Sequence, residues 1–334
     1  MLRIAVLGCG RIGQMHAANV ARHPRATLVA VYDVNAQAAG TVARALGVKA
    51  AGSAAEVFAD ANVDAVLVAT ATPTHADFIE MAIAAGKAVL CEKPIDLNLS
   101  RVNACAAKIG NTSIPIQLGF NRRYDPGHSA ARNAMLAGEI GDLHQVIITS
   151  RDPGAPPADY ITRSGGIFRD MTIHDFDMAR FLLGEEIATV SAVASVLVDP
   201  KIGELGDFDS VSVILTTATG KQCIIGNSRR ATYGYDQRIE VHGALGSVSA
   251  ENQRPVSIEV ASAKGYTRPP LHDFFMTRYT EAYAAEIAAF IAAILGKAKA
   301  APTGEDGLAA LALAEAALKS VAEKRAVLLS EVMG

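Results

Sequence analysis

The 334-residue chain contains no tryptophan, and aromatic residues make up only 5% of it. Base-stacking platforms and membrane-interface belts are built on such side chains, so both readings lose support. There is no extended basic block, and the formal net charge is only −3. The electrostatic footprint that nucleic acid or an anionic bilayer requires is therefore missing. No apolar run reaches the roughly 20 residues that span hydrocarbon; Glu and Lys interrupt the alanine-rich stretches 281–296 and 305–323. The four cysteines, Cys9, Cys91, Cys105 and Cys223, form no CxxC pair and no metal-ligand spacing. They read as buried reduced thiols, with neither a disulfide framework nor a metal expected. Residues 2–7 already form an apolar strand that runs into a glycine turn, leaving no room for a signal peptide. A cytoplasmic protein is expected, of ordinary globular composition with half its residues apolar.

What is present is organised in two parts. A chain of this length exceeds one ordinary core, so two domains are the expectation. Strand-like runs at 2–7, 27–32, 64–70, 88–92 and 116–120 alternate with helical stretches. That alternation predicts parallel β–α–β units in an open doubly wound sheet. A helix is expected around 126–137, after which 143–151, 187–199, 208–219, 221–230, 236–242, 246–250 and 256–260 read as strands with few helices between them. Helices 280–296 and 305–323 close the chain. The predicted class is α/β, with an N-terminal Rossmann domain over 1–120. An α+β domain with a mostly antiparallel sheet, for substrate binding and oligomerisation, follows over 121–334.

The first strand runs into Gly8-Cys9-Gly10-Arg11-Ile12-Gly13, which opens a helix. A pyrophosphate must approach backbone N–H groups at a helix N-terminus, and side chains at Gly8, Gly10 and Gly13 would obstruct that approach or the helix–strand packing. A lone GxGxxG is weak evidence; here it also precedes Asp33 by the interval expected of a ribose-binding acid. Asp33 would accept hydrogen bonds from ribose hydroxyls and repel a 2′-phosphate. No Arg or Lys immediately follows it. NAD is therefore expected over NADP.

The stretch Gly165-Gly166-Ile167-Phe168-Arg169-Asp170-Met171-Thr172-Ile173-His174-Asp175-Phe176-Asp177 carries the chemistry. Asp170 and His174 are four residues apart, so on a helix both leave one face about one turn apart. A carboxylate beside an imidazole can orient and tune it. A single His on an amphipathic helix is more often a packed or solvated residue, and Asp170 alone reads equally well as a helix-start acid. Lys93, which follows the fourth of the predicted strands, adds a cation where open α/β sheets bind ligands. Together these are parts for moving a proton and a hydride at a secondary alcohol.

With those residues in hand, the chain resembles the Gfo/Idh/MocA oxidoreductases over essentially its whole length, and within them the inositol 2-dehydrogenases. The resemblance rests on GCGRIG at 8–13, Ala69 to His75, Cys91-Glu92-Lys93-Pro94-Ile95, Gly119 to Asp125, Ser150-Arg151-Asp152-Pro153, and 165–180. It implies a Lys93–Asp170–His174 catalytic set that oxidises one ring hydroxyl of a cyclitol, with myo-inositol giving 2-keto-myo-inositol. Lys93 would contact both the reacting hydroxyl and the nicotinamide side. Thr70, His75, Glu92 and Asn121 match positions lining the cofactor, beside Gly8, Gly10, Arg11, Ile12, Gly13 and Asp33. Arg123, Asp152 and Tyr235, with Lys93, Asp170 and His174, are the candidates for polyol hydroxyls. For His75 a packing role at a helix start competes evenly, as it does for Tyr235 in its strand. Arg169 places a charge where an apolar residue was expected, facing solvent, a neighbouring subunit or the substrate. The resemblance further implies a homo-oligomer, commonly a tetramer. Other inositol epimers, a pyranose sugar, NAD-dependent glycoside cleavage and a non-catalytic NAD-binding regulator are the competing readings.

Overall fold

The computed structural model describes residues 1–333. Its first six strands are β1 (Leu2–Leu7), β2 (Ala26–Tyr32), β3 (Lys49–Ala50), β4 (Ala65–Val68), β5 (Ala88–Glu92) and β6 (Ile116–Gly119). Interleaved with them are α1 (Arg11–Arg22), α2 (Ala36–Leu46), α3 (Ala54–Ala59), α4 (His75–Ala84) and α5 (Leu99–Gly110). The sheet order is β3-β2-β1-β4-β5-β6, and every pairing is parallel. β4 and β6 are buried at every residue, without the alternation of a half-exposed strand, and β4 is a continuous apolar run. The order of strands reverses between β1 and β4, the switch point at which such sheets bind ligands beyond their carboxyl ends.

Local chemistry sets the helix boundaries. Asn35 caps α2 by accepting from the N–H groups of Gln37 and Ala38, and Gly47 ends it in the left-handed region. Ser53 and Asn98 cap α3 and α5 in the same way. The N-terminus of α1 differs: Gly10 supplies no side-chain cap and the first turn holds no acid.

The remaining helices are α6 (Pro126–Leu136), α7 (Ala158–Ser164), α8 (Ile173–Leu183), α9 (Pro200–Glu204), α10 (Phe275–Arg278), α11 (Thr280–Ile294), α12 (Gly304–Glu323) and α13 (Ser330–Met333). The strands are β7 (Leu143–Arg151), β8 (Ile187–Ser195), β9 (Ser210–Thr217), β10 (Gln222–Ser228), β11 (Asp236–Gly243) and β12 (Gly246–Ala250). They form one sheet in the order β12-β11-β7-β10-β9-β8, extended at the β8 edge by Val327–Leu328. All its pairings are antiparallel except β7 with β10. One face is packed: Val146, Ile148, Val190, Val213, Leu215, Ile225 and Val241 meet Phe168, Phe176, Leu182 and Leu313 in one core. Alternation along β9 and β10 leaves the other face solvated. The strand expected at 256–260 is instead a small exposed hairpin of Val260–Ser262 with Gly265–Thr267.

Contacts divide the chain into two compact units, 1–121 with 281–311 and 122–280 with 312–334. Residues 281–311 thus cluster with the first unit, where the sequence leads to the expectation of an uninterrupted second domain over 121–334. Ile287, Phe290 and Ile291 of α11 are buried in the core of the parallel sheet, with Val6, Val31, Leu67 and Leu90. The apolar stripe of α11 reads the same against either core, so periodicity does not assign it.

Candidate active site

In the first unit, every expected cofactor residue sits at or just beyond the carboxyl end of a strand, or on the helix that follows it. The three glycines answer different needs. A Cβ on Gly8 would lie 2.3 Å from the carbonyl oxygen of Ala69, and φ is +96° there. One on Gly13 would lie 1.9 Å from the carbonyl oxygen of Gly8. A Cβ on Gly10 would meet nothing within 4 Å, so its bareness serves approach from outside. Asp33 fixes the turn: Oδ2 accepts from the Cys9 N–H at 2.7 Å and Oδ1 from the Asn35 N–H at 2.8 Å. Each carboxylate oxygen keeps lone-pair capacity for a ribose hydroxyl. Arg11 and Ile12 begin α1.

At the end of β4, Thr70 Oγ1 lies 2.6 Å from Thr74 Oγ1. His75 is buried, with Nδ1 2.8 Å from the Pro94 carbonyl and Nε2 3.0 Å from that of Thr70. Both ring nitrogens thus face backbone, and His75 braces the segment after Lys93 rather than presenting itself to a ligand. Asn121, after β6, is buried with its Nδ2 lacking a hydrogen-bond partner in the protein. An uncapped helix N-terminus, a cradle open at Gly10, an anchored Asp33 and an orphaned amide donor fit a dinucleotide. Val34 and Asn35 after Asp33 provide no cation for a 2′-phosphate.

In the second unit, a buried network sets the start of α8. Asp175 accepts from Arg122 Nη1 at 2.6 Å, Ser150 Oγ at 2.6 Å and Asn227 Nδ2 at 2.8 Å. Thr172 Oγ1 donates to Asn227 Oδ1 at 2.7 Å. Between the Gly165-Gly166 loop and α8 the chain takes a π-helical turn over Phe168–Thr172. Asp170 therefore stands in a π-turn, not in the plain α-helix that the spacing of Asp170 and His174 predicts; such turns recur at functional sites. Asp170 Oδ1 accepts from Tyr160 Oη at 2.8 Å, and Oδ2 lies 3.8 Å from Arg229 Nη1. Arg229 is 1% exposed. Its Nη2 donates to Asp207 at 3.1 Å, and Asp207 also accepts from the Ile167 N–H at 2.9 Å. Tyr160 and Arg229 escaped the sequence reading because neither lies in a motif; only the fold sets them on Asp170.

Burial pushes the Asp152 carboxyl up to about 7; Arg229 opposes this, Asp170 adds to it and Arg122 opposes. Burial likewise raises the Tyr235 hydroxyl. That ring packs edge-on against Tyr279 with centroids 6.0 Å apart. Arg123, expected to bind hydroxyls, instead donates twice to Asp177, at 2.8 and 2.5 Å, and lies over the Phe181 ring. Arg169 turns to α12, where Nε and Nη2 donate to Glu315 at 2.5 and 2.9 Å. Its charge is thereby balanced away from Asp170.

Residues 2–120 match the family model described as oxidoreductase family, NAD-binding Rossmann fold, and 128–249 match the GFO/IDH/MocA C-terminal domain. The chain is 62% identical to an inositol 2-dehydrogenase of Rhizobium meliloti (strain 1021), over 98% of both chains. It superposes on a myo-inositol dehydrogenase from Corynebacterium glutamicum with a TM-score of 0.95, at 44% identity over 98% of this chain and 99% of that one. A scyllo-inositol dehydrogenase from Lactobacillus casei, solved with bound NAD(H) and scyllo-inositol, gives a TM-score of 0.92 at 29% identity over 99% of each. The parallel sheet with its glycine turn and anchored Asp33, the mixed second sheet and these full-length likenesses agree: the chain belongs to the Gfo/Idh/MocA oxidoreductase family, with an NAD-binding Rossmann domain.

Proposed function

We propose that the protein is an NAD-dependent inositol 2-dehydrogenase that oxidises one secondary ring hydroxyl, with myo-inositol giving 2-keto-myo-inositol. The observation that carries this reading is the 62% identity to an inositol 2-dehydrogenase across 98% of both chains. NAD supplies, when bound, the acceptor for the hydride leaving the ring carbon. The chain's own residues then manage the proton and the charge. His174 is the general base for the hydroxyl proton, since an imidazole titrates near neutrality. Asp170 orients that imidazole and stabilises its charged form. Lys93 favours the oxygen as negative charge develops on it. The partly buried Asp152, its carboxyl raised by burial to about 7, is suited to donate or accept at a polyol hydroxyl, and Tyr235 stands second to it. Glu92 and Asn121 join the glycine turn, Asp33 and Thr70 on the cofactor side. No metal takes part in this scheme.

Oxidation of a different epimer is the second reading, because the Lactobacillus casei relative binds scyllo-inositol on the same fold. A homo-oligomer, a tetramer in this reading, and a cytoplasmic setting complete the proposal. Four buried free cysteines support that setting, and among the described residues no helix is long and apolar enough to cross a membrane. The test is NAD reduction, followed at the NADH absorbance, with myo-, scyllo- and D-chiro-inositol, D-glucose and D-xylose, each repeated with NADP. Selective turnover of myo-inositol with NAD is expected. Silence on every polyol by a protein that still binds NAD would sink the proposal in favour of a regulator.

A further inference from the structure

Within the first unit, three ionisable side chains from three elements converge. His16 of α1 and Glu286 of α11 are fully buried, and Glu92 ends β5 immediately before Lys93. One ligand-type atom from each lies within 4.8 Å of the others. His16 Nε2 is 2.7 Å from Glu92 Oε1. Room for this carboxylate is built in, because a Cβ on Gly119 would lie 2.9 Å from Glu92 Oε2. The Tyr283 ring meets His16 edge-on at 5.6 Å, and Gln117 Nε2 donates to the Glu286 backbone carbonyl at 3.1 Å.

The hydrogen-bond inventory around Glu286 is lopsided. Both of its carboxyl oxygens, together with Gln117 Oε1 and His16 Nδ1, are buried without partners. With His16 Nε2–H donating to Glu92, every one of these is an acceptor. The cluster lacks protons, and two ionised carboxylates side by side, one of them fully buried, would be far from balanced. We propose that Glu286 is a neutral carboxylic acid whose proton is donated to Glu92, directly or through one water, so that His16 and Glu286 together clamp Glu92. One added proton turns an orphaned acceptor into the missing donor and removes the repulsion. Burial and the Glu92 charge both push the Glu286 carboxyl upward, in agreement. The clamp joins α1, which opens at the glycine turn, to the strand end that carries Lys93. His16 and Glu286 are positioning residues, acting through Glu92.

A divalent cation would also balance the charges, but the 2.7 Å separation of His16 from Glu92 is a hydrogen-bond distance. Two ligands on a tetrahedral ion stand about 3.3 Å apart, given metal–ligand bonds of about 2.0 Å.

Infrared spectroscopy of the full-length protein at neutral pH tests the proposal. The wild type should show a protonated-carboxyl carbonyl band that is missing from Glu286→Gln. No difference between the two in that region would mean that Glu286 is ionised, and the proposal fails. One equivalent of bound metal in the wild type, lost in Glu286→Gln, would overturn it in favour of a cation site. Glu286→Gln, which keeps a donor, should retain wild-type KM for NAD, whereas Glu286→Met should raise it several-fold. Equal effects of the two substitutions would count against the clamp. The infrared readout reports on Glu286 whether or not Lys93 has its proposed role, so the two readings fail separately.

Discussion

Asp170, the carboxylate proposed to orient His174, is held from both sides of its carboxyl group. Tyr160 donates to one oxygen, and the buried Arg229, itself pinned by Asp207, faces the other. Lys93→Met and His174→Ala should each lower kcat by orders of magnitude with NAD binding intact, as read by steady-state rates and NAD titration; lost NAD binding would mean that these residues are misassigned. Asp33→Ala should weaken NAD and relax discrimination against NADP, because a carboxylate that repels a 2′-phosphate is gone. An unchanged ratio of kcat/KM for the two cofactors would refute the ribose role. Asp152 gives a pH prediction. Its folded carboxyl is raised to about 7, chiefly by burial, from about 3.9 unfolded. The native state therefore prefers the protonated form. The stability this provides is fully present below about pH 4 and is lost as pH rises through about 7. Asp152→Asn keeps a neutral group at all pH, so its Tm relative to wild type should climb between acid and mildly alkaline conditions. A pH-independent difference would contradict the raised carboxyl.

Among elements, α1 carries the tightest constraint. The Gly13 Cα sits so close to the Gly8 carbonyl that a Cβ would stand 1.9 Å from its oxygen, and backbone on both sides cannot give way cheaply. Gly13→Ala should cost about 1–3 kcal/mol by overpacking and should displace the turn, so that Tm and NAD affinity fall together. A variant with wild-type NAD affinity would show that the helix can slide without harm to the turn. The π-turn before α8 is the second special element. It adds a residue to the helical path, and the Asp175 network with Arg122, Ser150 and Asn227 holds the helix that follows.

At the scale of the whole molecule, the second sheet leaves one face bare. Ile214 is cross-strand neighbour to Ile224, and Ile224 to Ile147, so the three side chains share a face. Ile214 is 49% exposed and Val193 of the adjacent strand 68%. This face is the surface on which the proposed homo-oligomer is expected to associate. Ile214→Lys should shift the protein to a smaller species in size exclusion with light scattering while leaving the fold intact by circular dichroism. A wild type that is already monomeric would refute the prediction.

The sequence by itself determined what depends on local rules. Alternating strand and helix periods specified the parallel sheet, three glycines and Asp33 specified the nucleotide turn, and the family resemblance offered Lys93, Asp170 and His174 as candidates. Tertiary structure decided what depends on long-range packing. It gave α11 to the first core and drew Arg169 to Glu315 and Arg123 to Asp177. It also brought Tyr160 and Arg229 to Asp170, and His16 and Glu286 to Glu92. A charged side chain looks the same in a sequence whether it faces solvent, a partner or a substrate. Only burial fixes which, since an ionised group out of water must be paired or neutralised.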